Sequence, residues 1–212
     1  MENIFAVYKP KGPTSHDIVA LIKKKYPGQK VGHAGTLDPL ASGVLVIAVG
    51  REATKKLSQV VAKEKEYLAT IRLGETSTTD DAEGEKSESL VANRPTHQEI
   101  EAALATFIGE IEQVPPAYSA VKIKGKKAYQ LARAGRPAEL KPRRVEIKAI
   151  KLLQYRYPEL RLRIVTGPGT YIRALARDLG RRLGGGAYLA ELERCRVGEF
   201  DLAGAKKISD LS

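Results

Sequence analysis

The feature that most constrains the fold is a run of six apolar residues, Val44 to Val49, which directly follows a segment rich in glycine and proline. The run is far too short to cross a membrane, because a spanning helix needs about 20 apolar residues. A short continuous apolar run predicts a buried strand. The preceding segment, residues 32–43, contains too much glycine and proline to predict a regular element. The sequence therefore predicts a buried strand that begins where an irregular loop ends.

Strand and helix patterns alternate irregularly along the rest of the chain. Ser15 is the predicted N-cap of the first helix, and Thr96 with Glu99 has the spacing of a capping box before a helix that ends near Phe107. This mixture predicts an α+β domain with a large, mostly antiparallel sheet. The other elements follow from apolar periodicity: strands at 4–8, 67–73, 145–157, 160–165 and 189–200, and helices at 15–26 and 170–183.

The charge balance favours a polyanionic partner. Lys and Arg number 36 and Asp and Glu number 25, which gives a formal net charge of +11 at pH 7. Each phosphate that a basic side chain neutralises releases condensed counterions, so nucleic acid binds such a surface well. A basic protein without such a partner is the alternative that charge alone leaves open.

The residues available exclude several classes of site. Cys195 is the single cysteine, so the chain forms no internal disulfide, and no Cys/His spacing suits zinc. The sequence has no Walker loop or dinucleotide fingerprint that would indicate a nucleotide cofactor. It shows no secretion signal and no long apolar run. We therefore expect a cytoplasmic protein that uses no cofactor and does not contact a membrane.

Asp38 is the first candidate for a catalytic role, and it precedes Pro39 within the glycine-rich segment. An aspartate before a proline is commonly a turn residue, because its carboxylate accepts local backbone N–H groups. A rigid loop ahead of a buried strand can equally present one carboxylate at the edge of a cleft. The composition of the segment alone favours the turn.

Arg173 falls in the first turn of the helix predicted at 170–183, where the helix dipole disfavours a cation. A carboxylate that approached this arginine would form a bidentate pair with it, and Asp38 is the candidate partner. The alternative is a solvated arginine that continues a basic stripe with Arg177 and Arg181.

Two further side chains have competing interpretations. Tyr67 opens a predicted strand, where it is either a half-buried core residue or a cleft residue that stacks on a nucleobase. His33 is a turn residue, a general acid, or a side chain that fills the space left by an extruded base. The residues themselves do not decide between these roles.

Residues 32–43, GHAGTLDPLASG, resemble the catalytic motif of the TruB family of tRNA pseudouridine synthases. Further motifs of that family follow in order at 65–67 (KEY), 79–84 (TDDAEG), 114–122 (VPPAYSAVK) and 169–173 (GTYIR). In the closing strand, residues 192–194 are Leu-Glu-Arg, where family members commonly have Leu-Arg-Arg. The ordered motifs span almost the whole chain, so the resemblance is highly specific.

The resemblance implies the pseudouridine synthase fold, an α+β domain in which a large, mostly antiparallel mixed sheet is flanked by helices and crossed by a catalytic cleft. It implies an isomerase that flips uridine 55 out of the tRNA T-stem loop and converts it to pseudouridine without a cofactor. Asp38 would be the catalytic carboxylate, Arg173 its ion-pair partner, and Tyr67 would stack on the target base and act in the proton steps. The implied substrate-binding residues are His33, Tyr171, Leu192 and Lys9.

The resemblance also implies how the chain is organised. Residues 1–212 would form one catalytic domain, with a thumb-like RNA-binding segment at about 115–141 and no C-terminal PUA-type module. The enzyme would be a monomer that needs no protein partner. Two alternatives are the catalytic subunit of a guide-RNA pseudouridylation particle and a non-catalytic protein that binds or folds tRNA.

Overall fold

The computed structural model describes residues 3–89, 94–123, 125–136 and 139–210. The chain divides into two compact units. Unit 1 contains residues 1–68, 164–168 and 192–212, and unit 2 contains residues 69–163 and 169–191. Both units are therefore assembled from segments that are distant in sequence.

Strands make up most of the regular structure, and there are more of them than the sequence predicts. Their bounds are β1 (Ile4–Lys9), β2 (Val31–Ala34), β3 (Ala41–Val49), β4 (Lys65–Leu73), β5 (Glu75–Ser77), β6 (Lys86–Glu88), β7 (Gly109–Gln113), β8 (Lys122–Ile123), β9 (Lys126–Lys127), β10 (Arg143–Arg156), β11 (Glu159–Thr166), β12 (Ala187–Val197) and β13 (Phe200–Asp201).

The helices are fewer and mostly short. Their bounds are α1 (Ser15–Lys25), α2 (Arg51–Lys55), α3 (Leu57–Val61), α4 (His97–Ala105), α5 (Ala128–Arg133) and α6 (Ile172–Arg182), followed by a 3-10 turn at Ile208–Asp210. Within the described residues, no helix is long and apolar enough to cross a membrane.

A nine-stranded sheet dominates the fold, in the order β1-β3-β12-β4-β11-β10-β7, with β13 beside β12 and β2 beside β3. The pairs β1–β3, β2–β3 and β7–β10 are antiparallel, whereas β12 runs parallel to β3. Two small hairpins, β5–β6 and β8–β9, lie outside this sheet. The architecture confirms the predicted α+β class and its large mixed sheet.

Strand β3 is the centre of the core of unit 1, as the apolar run predicted. Leu45 and Ile47 belong to the cluster that packs against helix α1, and Val44 and Val46 belong to a second cluster that includes Val60. Apolar residues that alternate between two packed faces give a continuous apolar run, because neither face reaches water.

Two predictions in this region are wrong. Residues 32–43 are not wholly irregular, because β2 extends to Ala34 and β3 already begins at Ala41. The N-cap of α1 is Thr14 rather than Ser15, since Thr14 and Asp17 form a reciprocal capping box. The capping box predicted at Thr96 and Glu99 is confirmed.

The core of unit 2 forms where helices α4 and α6 pack together and α4 packs on β10. Buried residues from these elements include Ile100, Ile147 and Leu175. The predicted thumb segment contains the β8–β9 hairpin and helix α5, while its residues 124 and 137–138 lie outside the described part of the chain.

Candidate active site

The Asp38 loop, residues 35–40, joins β2 to β3 in unit 1. Asp38 is half-buried, and its carbonyl accepts a hydrogen bond from the Ala41 amide at 3.0 Å, which closes a turn. The carbonyl of Pro39 accepts from the amide of Gly12 at 2.8 Å. Asp38 is therefore a turn residue, as the composition predicted, on a loop whose backbone is tied to neighbouring segments.

Ser15 anchors the loop one residue before Asp38. Its hydroxyl donates to the carbonyl of Leu37 at 3.0 Å, and the Leu37 amide donates back to the same oxygen at 2.9 Å. Both bonds are buried, and the Leu37 side chain packs into the cluster around β3. Since an unmade buried hydrogen bond costs about 1–3 kcal/mol, this reciprocal pair fixes the backbone beside the carboxylate.

Arg194, on β12, also binds the Asp38 loop. Only 1% of this residue is exposed. Its Nε donates to the carbonyl of Val44 at 2.8 Å, and Nη2 donates to the carbonyl of Gly35 at 3.0 Å. A longer bond of 3.5 Å joins Nη1 to the carbonyl of Thr36. One guanidinium thus contacts backbone on both sides of Asp38.

Tyr67 and Asp38 both interact electrostatically with the guanidinium of Arg194. Burial raises the pKa of the Tyr67 phenol, a hydrogen bond and the positive charge of Arg194 oppose that rise, and the negative charge of Asp38 adds to it. Burial likewise lowers the pKa of Arg194, which Tyr67 and Asp38 partly offset. The three side chains form one electrostatic group, in which the phenol of Tyr67 is protonated at neutral pH.

Lys65 adds a second buried cation to this group. Its Nζ donates to the carbonyls of Val61 and Lys63 at 2.7 and 2.6 Å. Burial and the nearby charge of Arg194 lower the pKa of Lys65 to about 8. Unit 1 therefore buries two cationic side chains, Lys65 and Arg194, near the Asp38 loop.

His33 lies on β2 at the entrance to the Asp38 loop and is half-buried. Its ring contacts the ring of His16 edge-on, with 5.5 Å between centroids, and its Nδ1 is buried without a hydrogen-bond partner. Burial, followed by the charges of His16 and Arg194, lowers the pKa of His33. The imidazole of His33 is therefore neutral at neutral pH and adds no positive charge beside Arg194.

Lys9 and Leu192 occupy strands on either side of β3. Lys9 is fully buried opposite Gly43, and its Nζ donates to the carbonyls of Pro10 and Pro13 at 2.8 and 2.9 Å. Leu192 lies opposite Ala41 and packs against the cluster around β3. Unit 1 thus holds five of the seven predicted site residues: Lys9, His33, Asp38, Tyr67 and Leu192.

The other two predicted residues, Arg173 and Tyr171, lie in unit 2 at the start of helix α6. Arg173 is buried, with 5% exposed, so the interpretation as a solvated stripe residue is wrong for it. Its guanidinium forms an ion pair with Asp81 at 3.4 Å and donates to the carbonyls of Thr79 and Tyr118 at 3.1 and 3.0 Å. The predicted ion pair between Arg173 and Asp38 joins residues of the two units and stays a prediction.

Arg177, one turn further along α6, repeats this arrangement. Its Nη1 contacts Asp80 at 2.9 Å, and its Nη2 donates to the carbonyl of Val114 at 2.9 Å. Arg181 follows on the same face, but its side chain is 72% exposed. The acidic loop 79–84 therefore neutralises the first two arginines of the helix and leaves the third in solvent.

Tyr171 is the N-cap residue of α6 and is half-buried. Its amide donates to the side-chain oxygen of Gln113 at 2.8 Å, and the side-chain nitrogen of Gln113 donates to the Tyr171 carbonyl at 3.1 Å. These two hydrogen bonds with the amide side chain of Gln113 fix the backbone that precedes Arg173.

A family model described as TruB family pseudouridylate synthase, N-terminal domain, matches residues 23–172. The chain belongs to this TruB family. Among curated relatives, tRNA pseudouridine synthase B of Mycobacterium tuberculosis is 46% identical over 213 residues, which cover 99% of this chain and 71% of the relative. The protein of the same name from Leifsonia xyli subsp. xyli is 46% identical over 215 residues, with 98% and 71% covered.

A solved structure supports the same family placement. One chain of an H/ACA ribonucleoprotein bound to a substrate RNA containing 2'-deoxyuridine matches with a TM-score of 0.73 and 29% sequence identity. The match covers 98% of this chain and 51% of that chain, so this chain spans about half its length. The resemblance inferred from the motif at 32–43 is confirmed for both family and fold.

Sequence reasoning missed three residues of this TruB chain: Ser15, Lys65 and Arg194. Ser15 was assigned to a helix cap, although its hydroxyl binds the Asp38 loop instead. Arg194 was noted only as part of a strand motif. Its alternation with Leu192 offered a signal, since both then face the same side of β12, but nothing in the sequence shows which backbone lies there.

Proposed function

We propose that this chain converts uridine 55 in the T-stem loop of tRNA to pseudouridine, with Asp38 as the catalytic carboxylate. The observation that carries the proposal is a half-buried carboxylate on an anchored loop, in a chain that belongs to the TruB family. The named relatives, tRNA pseudouridine synthase B, support tRNA as the substrate. The proposed reaction takes place in the cytoplasm without an obligate protein partner.

The reaction breaks the bond between N1 of uracil and C1′ of the ribose, turns the base, and joins C5 to C1′. C5 then loses its proton and N1 gains one, so the atoms balance. No electrons or groups enter or leave, so the isomerisation needs no co-substrate. Positive character develops at C1′ as the base departs, and a nearby carboxylate such as Asp38 stabilises it. The same carboxylate is also suited to form a covalent adduct or to remove a sugar proton.

The proposal requires the target nucleotide to leave its stack, which costs a few kcal/mol. Stacking on Tyr67 would offset this cost by about 1–3 kcal/mol. The basic side chains of the thumb segment would bind phosphates and so add affinity that does not depend on sequence. Among the described residues of that segment, five are exposed: Lys122, Lys126, Arg133, Arg136 and Lys141.

Asp38→Asn tests the central assignment. We expect the variant to fold and to bind tRNA, but to lose turnover on the order of 10⁴-fold or more, because the amide carries no negative charge. Tritium release from a tRNA transcript labelled at uracil C5 measures turnover, and chemical mapping of pseudouridine locates the product. Asp210→Asn, which alters an exposed aspartate near the C-terminus, is the matched control. Turnover by Asp38→Asn equal to that of the control would rule out the catalytic role.

Arg173→Lys tests the proposed partnership of Arg173 with Asp38. Lysine cannot reproduce the planar fork of the guanidinium, so we expect kcat to fall by about 10- to 100-fold. Arg181→Lys provides the control, since Arg181 lies on the same helix but is largely exposed. The ion pair is excluded if the folded Arg173→Lys enzyme matches this control in both kcat and KM.

A second candidate function is favoured by one observation, the similarity to a chain of an H/ACA ribonucleoprotein. That reading makes this chain the catalytic subunit of a guide-RNA particle. The pure protein would then be inactive on unmodified tRNA and would require a guide RNA. Incubation of the pure chain with a tRNA transcript distinguishes the two candidates directly.

A further inference from the structure

Arg194 lies where β12 runs parallel to β3, directly opposite Gly43. Gly43 has a φ of +106°, and a Cβ at this position would lie 2.8 Å from the amide nitrogen of Arg194. Only glycine permits such a close approach of the two strands. The backbone of Arg194 is thereby fixed against the strand that carries the Asp38 loop.

The side chain of Arg194 spans the two ends of that loop. Gly35 and Thr36 precede Asp38 and accept from its terminal nitrogens, whereas Val44 follows Asp38 and accepts from Nε. Gly35 itself has a φ of +80°, and a Cβ there would lie 3.5 Å from Nη1 of Arg194. The loop therefore closes around the guanidinium.

Stability alone does not account for a charge at this position. The backbone acceptors of Arg194 are neutral, and burial lowers its pKa. A buried charge is expensive to desolvate, and a well-packed apolar side chain of similar volume is often equal or better for stability. What arginine supplies here is a rigid fork that donates in several directions at once.

We propose that Arg194 is a positioning residue for catalysis. Its guanidinium binds both the backbone on either side of Asp38 and the phenol of Tyr67, and so fixes Asp38 and Tyr67 relative to each other. The inference rests on the proposed isomerase function. Arg194 acts through these two groups rather than on the substrate. Because a misplacement of about 1 Å costs roughly 100-fold in rate, loosening this group should reduce turnover far more than binding.

The experiment compares Arg194→Lys and Arg194→Gln with Arg196→Gln. Arg196 lies on the same strand, but its guanidinium pairs with Glu64 and Glu66 rather than with the Asp38 loop. We expect kcat to fall about 100-fold in both Arg194 variants while KM for tRNA changes less than about threefold. Arg196→Gln should retain the wild-type kcat.

Hydrogen exchange provides a readout that does not depend on activity. Backbone amides of residues 35–41 should exchange faster in both Arg194 variants and at the wild-type rate in Arg196→Gln. Circular dichroism at the assay temperature gives the folded fraction, to which kcat is normalised. Arg194→Lys is the milder change and covers the case in which Arg194→Gln fails to fold.

Two results overturn the inference: a wild-type kcat in folded Arg194→Lys, or a loss of kcat that disappears after normalisation to the folded fraction. Wild-type protein that forms no pseudouridine in the same assay refutes the proposed function instead. In that case the exchange rates still show whether Arg194 fixes the Asp38 loop, so the two failures are distinguishable.

Discussion

The two units each bury an arginine, and they satisfy it in different ways. Arg173, in unit 2, meets the carboxylate of Asp81, which is itself buried, in addition to two backbone carbonyls. Arg194, in unit 1, donates to three backbone carbonyls. Unit 2 thus places an anion in direct contact with its buried cation. In unit 1 the hydrogen-bond acceptors of the cation are neutral, and the carboxylate of Asp38 acts on it only through its charge.

This difference determines the local electrostatics of each unit. A carboxylate cancels most of the field of the guanidinium beside it, but carbonyl dipoles leave a net positive charge. Burial, and after it this residual charge, lowers the pKa of Lys65 to about 8, and the same charge opposes the rise that burial causes in the pKa of Tyr67. The buried arginine of unit 1 therefore keeps more of its positive charge than the buried arginine of unit 2, which an adjacent carboxylate neutralises.

Asp81→Asn would break the unit 2 arrangement, and we expect it to have the largest effect on stability. The free energy of unfolding should fall by about 3 kcal/mol, because a buried guanidinium loses its carboxylate. Urea denaturation measures the change. Glu52→Gln removes an ion pair whose side chains are 69% and 82% exposed, and it should change stability by less than about 0.5 kcal/mol. Equal effects of the two variants would contradict the comparison.

Gly43→Ala tests how closely Arg194 is held in unit 1. The added methyl group would clash with the backbone of β12, so the variant should lose about 2 kcal/mol more stability than Gly12→Ala. Gly12 is the matched control, since its φ of +111° is similar but no atom lies within 4 Å of the added Cβ. Equal midpoints of thermal unfolding for the two variants would show that β12 moves to accommodate the methyl group without loss of stability.

Titration of Lys65 should cause the smallest of the three changes in the free energy of unfolding, and this change should depend on pH. Its pKa is about 8 in the folded chain and near its ordinary value of about 10.4 when unfolded, so above pH 8 the unfolded state binds the extra proton. Relative to Lys65→Met, the wild type should therefore gain about 1 kcal/mol of stability per pH unit between pH 8 and 10.

Urea titrations at several pH values between 7 and 10 measure this gain. The same titrations in an Arg194→Gln background should shift the window to higher pH, since the positive charge that lowers the pKa of Lys65 is gone. A difference between wild type and Lys65→Met that does not vary with pH would mean that Lys65 stays charged.

The elements that could be predicted from sequence are those with strong local patterns. The apolar run at 44–49 and the capping box at Thr96 each follow from a few neighbouring residues, and both are confirmed. The family was also evident from its ordered motifs. The pattern does not predict the start of β3 because Ala41 pairs with Leu192, far away in the chain, and it does not predict β2 because that strand is only four residues long and lies in a glycine-rich segment.

The contacts of the site could not be predicted, for a physical reason. Arg194 and Arg196 are two residues apart on one strand and look alike in the sequence, yet one is buried against carbonyls and the other pairs with glutamates. Arg194 pairs with Gly43 of β3 and Arg196 with Asp201 of β13, and such pairing is a property of the folded sheet. The ion pairs of Arg173 with Asp81 and of Arg177 with Asp80 likewise join residues more than 90 positions apart, so no local pattern predicts them.

The sequence separation of β3 and β12 has a consequence for synthesis of the protein. The residues paired with Ala41 and Gly43 are Leu192 and Arg194, about 150 positions later. A ribosome that adds about 5–20 residues per second delivers β12 many seconds after β3 has emerged. The nascent chain therefore carries Asp38 without its arginine clamp until β12 has also been synthesised, so the Asp38 loop emerges long before Arg194 can bind it.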